Sequence, residues 1–142
     1  MLLSGCTPTA APSPSATASA SPDAESTAPV GPVLVPDGSA DDNLPLFTAT
    51  AEGVWETEQR GEGRAYIDAL IGAGFDRDSM QVTQDLTTVG NPAESLQFSV
   101  RWGNDECLVG QVGPSTGQVV TAVLPQLAEG RCLVGTTRPI DW

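Results

Sequence analysis

From Thr7 to Pro36, 23 of the 30 residues are Ala, Pro, Ser or Thr. Such a stretch has almost no large apolar side chain to bury, so it cannot offset the entropy lost on ordering. Its prolines favour an extended, polyproline-like chain; at full extension thirty residues reach about 90 Å. The reading is a tether over 7–42, preceded by a short leader remnant at 1–6. That leaves 43–142 as one small domain in a chain of 142 residues.

Composition narrows the chemistry further. The net charge is −12, and all six cations are arginine, with no lysine and no histidine. An acidic surface repels phosphate backbones and anionic headgroups, which argues against nucleic acid as a partner. No serine or cysteine nucleophile can be served by a histidine base, no lysine can form a Schiff base, and no histidine can bind zinc. No cofactor and no metal are expected.

The tether begins directly after Leu3-Ser4-Gly5-Cys6. This phrase resembles the bacterial lipobox, in which small residues precede a cysteine whose thiol accepts diacylglycerol and becomes the mature N-terminus. The resemblance implies lipidation at Cys6, an extracytoplasmic location and attachment to the membrane through the N-terminal lipid. A signal peptide also needs a charged start and an apolar stretch of about 7–15 residues before cleavage. Only Met1-Leu2-Leu3 stand there, so the natural start is expected upstream. No apolar run approaches the length of a membrane span.

After the tether, Asp41-Asp42-Asn43 supplies capping side chains. Leu44, Phe47, Ala51, Val54 and Trp55 then recur at helical spacing. A second stripe of Tyr66, Ile67, Leu70 and Ile71 ends at Gly72 and Gly74, with Phe75 packing back. After Asp76-Arg77-Asp78-Ser79 the period falls to two. Met80, Val82 and Leu86 alternate with polar residues, then Leu96, Phe98, Val100 and Trp102 do so again. Gly103-Asn104-Asp105-Glu106 turns into a third strand near Cys107 to Val112. The last stretch is read as an extended start followed by a helical turn from Pro125 to Ala128, because proline lacks the amide of a helix interior. The expected fold class is α+β, with two N-terminal helices packed on one face of a small antiparallel sheet of three or four strands.

Setting Cys6 aside leaves Cys107 and Cys132, an even pair. A disulfide between them would contribute about 3 kcal/mol in the chain-entropy model. It would persist only in an oxidising compartment. Two reduced core cysteines are the alternative; no Cys-x-x-Cys spacing supports redox chemistry. Both cysteines open the phrase Cys-Leu-Val-Gly, which is read as two similar strand environments.

Candidate sites are few. Asp76 with Asp78, and Asp105 with Glu106, are too close in sequence to face one another across a cleft as glycosidase carboxylates do. Neither pair has the patterned loop of a calcium site. The C-terminal Arg138, Asp141 and Trp142 suggest an ion pair and an aromatic, which either docks on the sheet or is presented to a partner. Trp55, Tyr66 and Trp102 could join it in one patch.

Residues 43–142, with Trp102-Gly103, the phrase from Cys107 to Gln111, the phrase from Gly130 to Gly135 and the terminal Arg138-Pro139-Ile140-Asp141-Trp142, resemble a family of small exported actinobacterial proteins. Its members carry a lipobox, a Ser/Thr/Pro/Ala tether and a domain without assigned function. The resemblance implies a surface lipoprotein, and brings no catalytic residues. The expected role is binding or interaction at the envelope, with an envelope protein or a glycan as partner. The alternatives are a secreted carboxylate-dependent enzyme, or a subunit or inhibitor of an envelope complex.

Overall fold

The computed structural model describes residues 31–142. Two helices, α1 (Ala40–Trp55) and α2 (Gly63–Ala73), precede five strands: β1 (Met80–Thr83), β2 (Leu96–Trp102), β3 (Glu106–Val112), β4 (Val120–Pro125) and β5 (Thr137–Arg138). The sheet is antiparallel throughout, in the order β4-β3-β2-β1-β5. The α+β expectation holds, with one strand more than the three or four expected.

Helix α1 begins earlier than its acidic residues suggest. Ser39 is the N-cap, accepting from the Asp42 amide at 3.1 Å, while the Asp42 carboxylate accepts from the Ser39 amide at 2.8 Å. This reciprocal pair satisfies two amides that a helix start leaves unpaired. Asn43, expected to cap, is instead fully buried. Its amide group clasps the preceding segment, accepting from Val35 N–H and donating to the Val35 and Ser39 carbonyls. Leu34 packs against the core. The folded unit therefore includes the last residues of the stretch read as tether.

Helix α2 ends as its glycines predict. Gly74 takes φ 109°, and Phe75 N–H reaches back to the Leu70 carbonyl at 3.1 Å. Only a residue without Cβ adopts that left-handed turn cheaply. Phe75 then lies edge-on to Phe47 and to Trp102.

The helices cover one face of the sheet. Phe47, Tyr66, Ile67 and Leu70 meet Val82, Phe98, Val100, Leu108 and Val112, all buried. Tyr66 stacks on Phe98 with centroids 4.7 Å apart. Gly110, the cross-strand partner of Phe98, makes room for that ring: a Cβ there would stand 2.4 Å from it.

The other face is covered by the segment that follows β4. Since β4 and β5 lie on opposite edges, this segment must cross the sheet. It runs as a tight turn at Ala128–Gly130, then places Cys132 and Leu133 against the strands. Cys107 and Cys132 are disulfide-bonded. Gln81 of β1 accepts from both Cys132 and Leu133 amides, at 2.7 and 3.3 Å. Ser99 is fully buried on β2, two residues from Arg101, the cross-strand partner of Cys107.

Several local expectations are corrected. Leu86 lies outside β1, exposed, in a single bridge to Pro92. Strand β4 continues through Pro125, and the tight turn comes later than Pro125. Gln126 N–H bonds the Asp105 carbonyl, so pairing amides fall on even positions and Pro125 faces the open edge, where a missing donor costs nothing. Of the two Cys-Leu-Val-Gly phrases only the first is a strand; the second lies in the crossing segment.

Candidate functional site

Helix and strand alternate in direction along this chain, so every second connection falls at the same end of the domain. Three connections gather there: α1 to α2, β1 to β2, and β3 to β4. Between them opens a cleft of about 480 Å³, walled by Trp55, Pro92, Ala93 and Pro114, with Leu96 and Val112 from the strand ends and Arg60 and Asp85 as its charged groups. A cleft of this size, mostly apolar with few polar groups, is the usual form of a small-molecule site. The groove between α1 and α2 is larger, about 560 Å³, but is walled mainly by Thr50, Thr57, Gln59, Glu62, Arg64 and Asp68.

Each wall is fixed by its own loop. The β3–β4 loop is tied to the β1–β2 loop, since Ser115 donates through its amide and its hydroxyl to the Glu94 carbonyl, at 3.1 and 2.8 Å. Ala93 N–H bonds the Asp85 carbonyl at 2.9 Å. The α1–α2 loop is anchored from below: Tyr66, fully buried, donates its hydroxyl to the Arg60 carbonyl at 2.8 Å. Burial pushes the Tyr66 phenol up to about 12, against a smaller opposing pull from Arg60. The phenol therefore stays protonated and remains a donor at any ordinary pH.

The two charges of the cleft differ in their ties. One Asp85 oxygen accepts from Gly63 N–H, at the start of α2, at 2.9 Å; the other pairs with Arg138 at 3.2 Å. Asp85 is thus committed to holding α2 and β5 together. Arg60 spreads its guanidinium over the Trp55 ring, 4.8 Å from the centroid, and its Nε reaches the Thr57 carbonyl at 3.4 Å. Among the described residues it has no carboxylate at ion-pair distance. A neighbouring groove adds Glu58 and Glu62 beside Asp85. No group of three metal-ligating side chains is found among the described residues.

The residues singled out in the sequence are placed as follows. Cys6 lies outside the described residues. Cys107 and Cys132 form the staple behind the sheet. The expected ion pair of Arg138 with Asp141 is not made, because Arg138 pairs with Asp85 instead. Trp142 docks, but on the flank of α2 rather than on the sheet. Its indole N–H donates to Asp68 at 2.8 Å, and its ring lies between Arg64 and Arg138, 5.2 and 5.0 Å away. The four aromatics do not form one patch: Tyr66 is in the core, Trp55 walls the cleft, and Trp102 donates to the Gly38 carbonyl near the start of α1. Asp76 caps the short turn before β1 through Asp78 N–H and Ser79 Oγ. Glu106 accepts from Ala40 N–H. These carboxylates serve the backbone.

The family described as Domain of unknown function (DUF6993) matches residues 51–136, more than half of the chain. The chain belongs to this family. The match spans the cleft-forming loops, all of β1 to β4 and both bonded cysteines. No curated protein and no solved structure matches the chain.

Sequence reasoning missed the cleft. Trp55 reads as the last apolar position of a helix stripe, and Arg60 as loop charge. A signal was present: prolines and glycines cluster at 61, 92, 113, 114 and 117, in connections that an alternating chain brings to one end.

Proposed function

We propose that this chain is a lipid-anchored binding module of the cell envelope, whose cleft receives a small, mainly apolar ligand. The observation that carries the reading is the cleft itself, an apolar recess built by three cross-tied loops around Trp55. A surface that served only as a spacer would need no such recess. The lipobox-like residues Leu3 to Cys6 support the anchor, the Ala/Pro/Ser/Thr stretch supports a spacer, and a bonded Cys107–Cys132 fits an oxidising compartment. Among the described residues no helix is long and apolar enough to cross a membrane. An envelope protein or a glycan remains the partner class for the outer surface, with exposed Asp141 beside Trp142. The enzyme reading gains nothing from the cleft, since both oxygens of its carboxylate are engaged by the fold.

Two measurements test this. Mass spectrometry of the protein expressed from its natural locus, after membrane fractionation, should find a mature chain starting at acylated Cys6; a soluble, unacylated chain ends the anchor reading. A small-molecule screen by amide and indole NMR should give shifts confined to Trp55, Ala93 and Gly113 and their neighbours. Hits that cluster elsewhere would show the cleft to be a packing void.

A further inference from the structure

The charges of the cleft say more about its ligand than its size does. Asp85 is satisfied by Gly63 N–H and Arg138, so it offers a ligand nothing. Arg60 is exposed and, beyond the Thr57 carbonyl, rests only on the Trp55 ring. Its backbone is held by the core-anchored Tyr66 hydroxyl, and its guanidinium lies over the Trp55 ring. A guanidinium is a planar fork of donors suited to carboxylate or phosphate oxygens. Beneath it the walls are Leu96, Val112, Pro92 and Pro114.

We propose that the ligand is an amphiphile with one anionic head, a carboxylate or a phosphate, on an apolar body, and that Arg60 at the cleft mouth holds the head. The inference rests on the cleft being a ligand site, as argued above. The apolar body fills the recess, where removing apolar surface from water favours binding. The head stays at the mouth, half in water, against the exposed guanidinium. The rim offers one uncommitted cation, so one anionic head is matched. A net charge of −12 works against anions at long range, but that repulsion is screened beyond about 8 Å at physiological salt. The contact with Arg60 is made beside apolar walls that strengthen it.

The test is an NMR titration of the full chain, with its disulfide formed, using four probes that share one ten-carbon chain, each kept below its micelle concentration: decanoate, decyl phosphate, decanol and decyltrimethylammonium. The expected result is that at least one anion shifts the Trp55 indole and the Gly113 amide at concentrations about tenfold lower than decanol requires. Comparing decanoate with decyl phosphate tells which head is preferred. In Arg60→Gln that advantage disappears while decanol binding is kept; in Arg60→Lys part of it remains. Equal binding of decanol and both anions would overturn the anionic head and leave the cleft reading standing. So would preference for the cationic probe. No response to any of the four would overturn the cleft reading itself. Arg60 is exposed, so its variants are expected to fold, and unchanged amide dispersion elsewhere verifies it.

Discussion

On its helix face the sheet meets Phe47, Tyr66, Ile67 and Leu70, all with no exposure at all. On its other face it meets a single crossing segment, in which Leu133 is the one large apolar side chain that is buried. The first face is held by apolar area and by interlocking rings, and its order follows from packing. The second has too little to bury for that. It is closed by a covalent bond and by one glutamine serving two amides. A thin layer can cover a sheet, but it then needs point attachments where a thick layer needs none.

The comparison can be broken experimentally, beginning with the largest effect. Phe98→Ala removes the ring between Phe47 and Tyr66 and should cost about 3–5 kcal/mol; urea unfolding of the oxidised protein measures it. The paired Cys107→Ser, Cys132→Ser variant should cost about 3 kcal/mol. Its loss should be local first, with hydrogen exchange rising across residues 126–136 before the amides of β2. If the whole sheet lost protection together, the two faces would be one cooperative unit and the distinction would fail. Gln81→Ala leaves the Cys132 and Leu133 amides unpaired and should cost about 1–3 kcal/mol. A negligible change would mean that the disulfide alone positions the segment.

The smallest effect sharpens the front face. Tyr66 titrates at 10.0 in a free chain and at about 12 in the fold. Between these values the unfolded chain has released its proton and the folded one retains it, so stability falls as pH rises from 10 through 12 and is unaffected below. Tyr66→Phe should cost about 1 kcal/mol at neutral pH and should remove its share of that alkaline loss. A pH profile that Tyr66→Phe leaves unchanged would assign the loss to other groups.

The front face was legible because it obeys periodicity. Leu96, Phe98 and Val100 alternate, Tyr66, Ile67 and Leu70 keep helical spacing, and both patterns mean burial on one side. The back face has no such pattern. Gln81 sits between Met80 and Val82 in the place of a solvent-facing residue, and nothing local tells that a segment fifty residues later will cover it. Ser39, Asp41, Asp42 and Asn43 can each cap a helix, and only the reciprocal bonding of Ser39 with Asp42 in the fold selects the first. Pro125 reads as the start of a helical turn, because the free edge that tolerates it inside a strand is a property of the assembled sheet. Arg138 has Asp141 nearby in sequence, yet Asp85 wins, being already held by the start of α2. The cleft was hidden for the same reason: its walls come from three loops, and only alternation of direction brings them together.

The two helices also give the domain a polarity. Leu34 and Val35 enter beside Gly74 and Asn43, at the end of α2 and the beginning of α1. Trp55 and Gly61, at the other ends of these helices, belong to the cleft. With 16 residues in α1, the two poles stand about 24 Å apart. A pull on the chain from its N-terminal side therefore acts at the foot of the domain and leaves its mouth free.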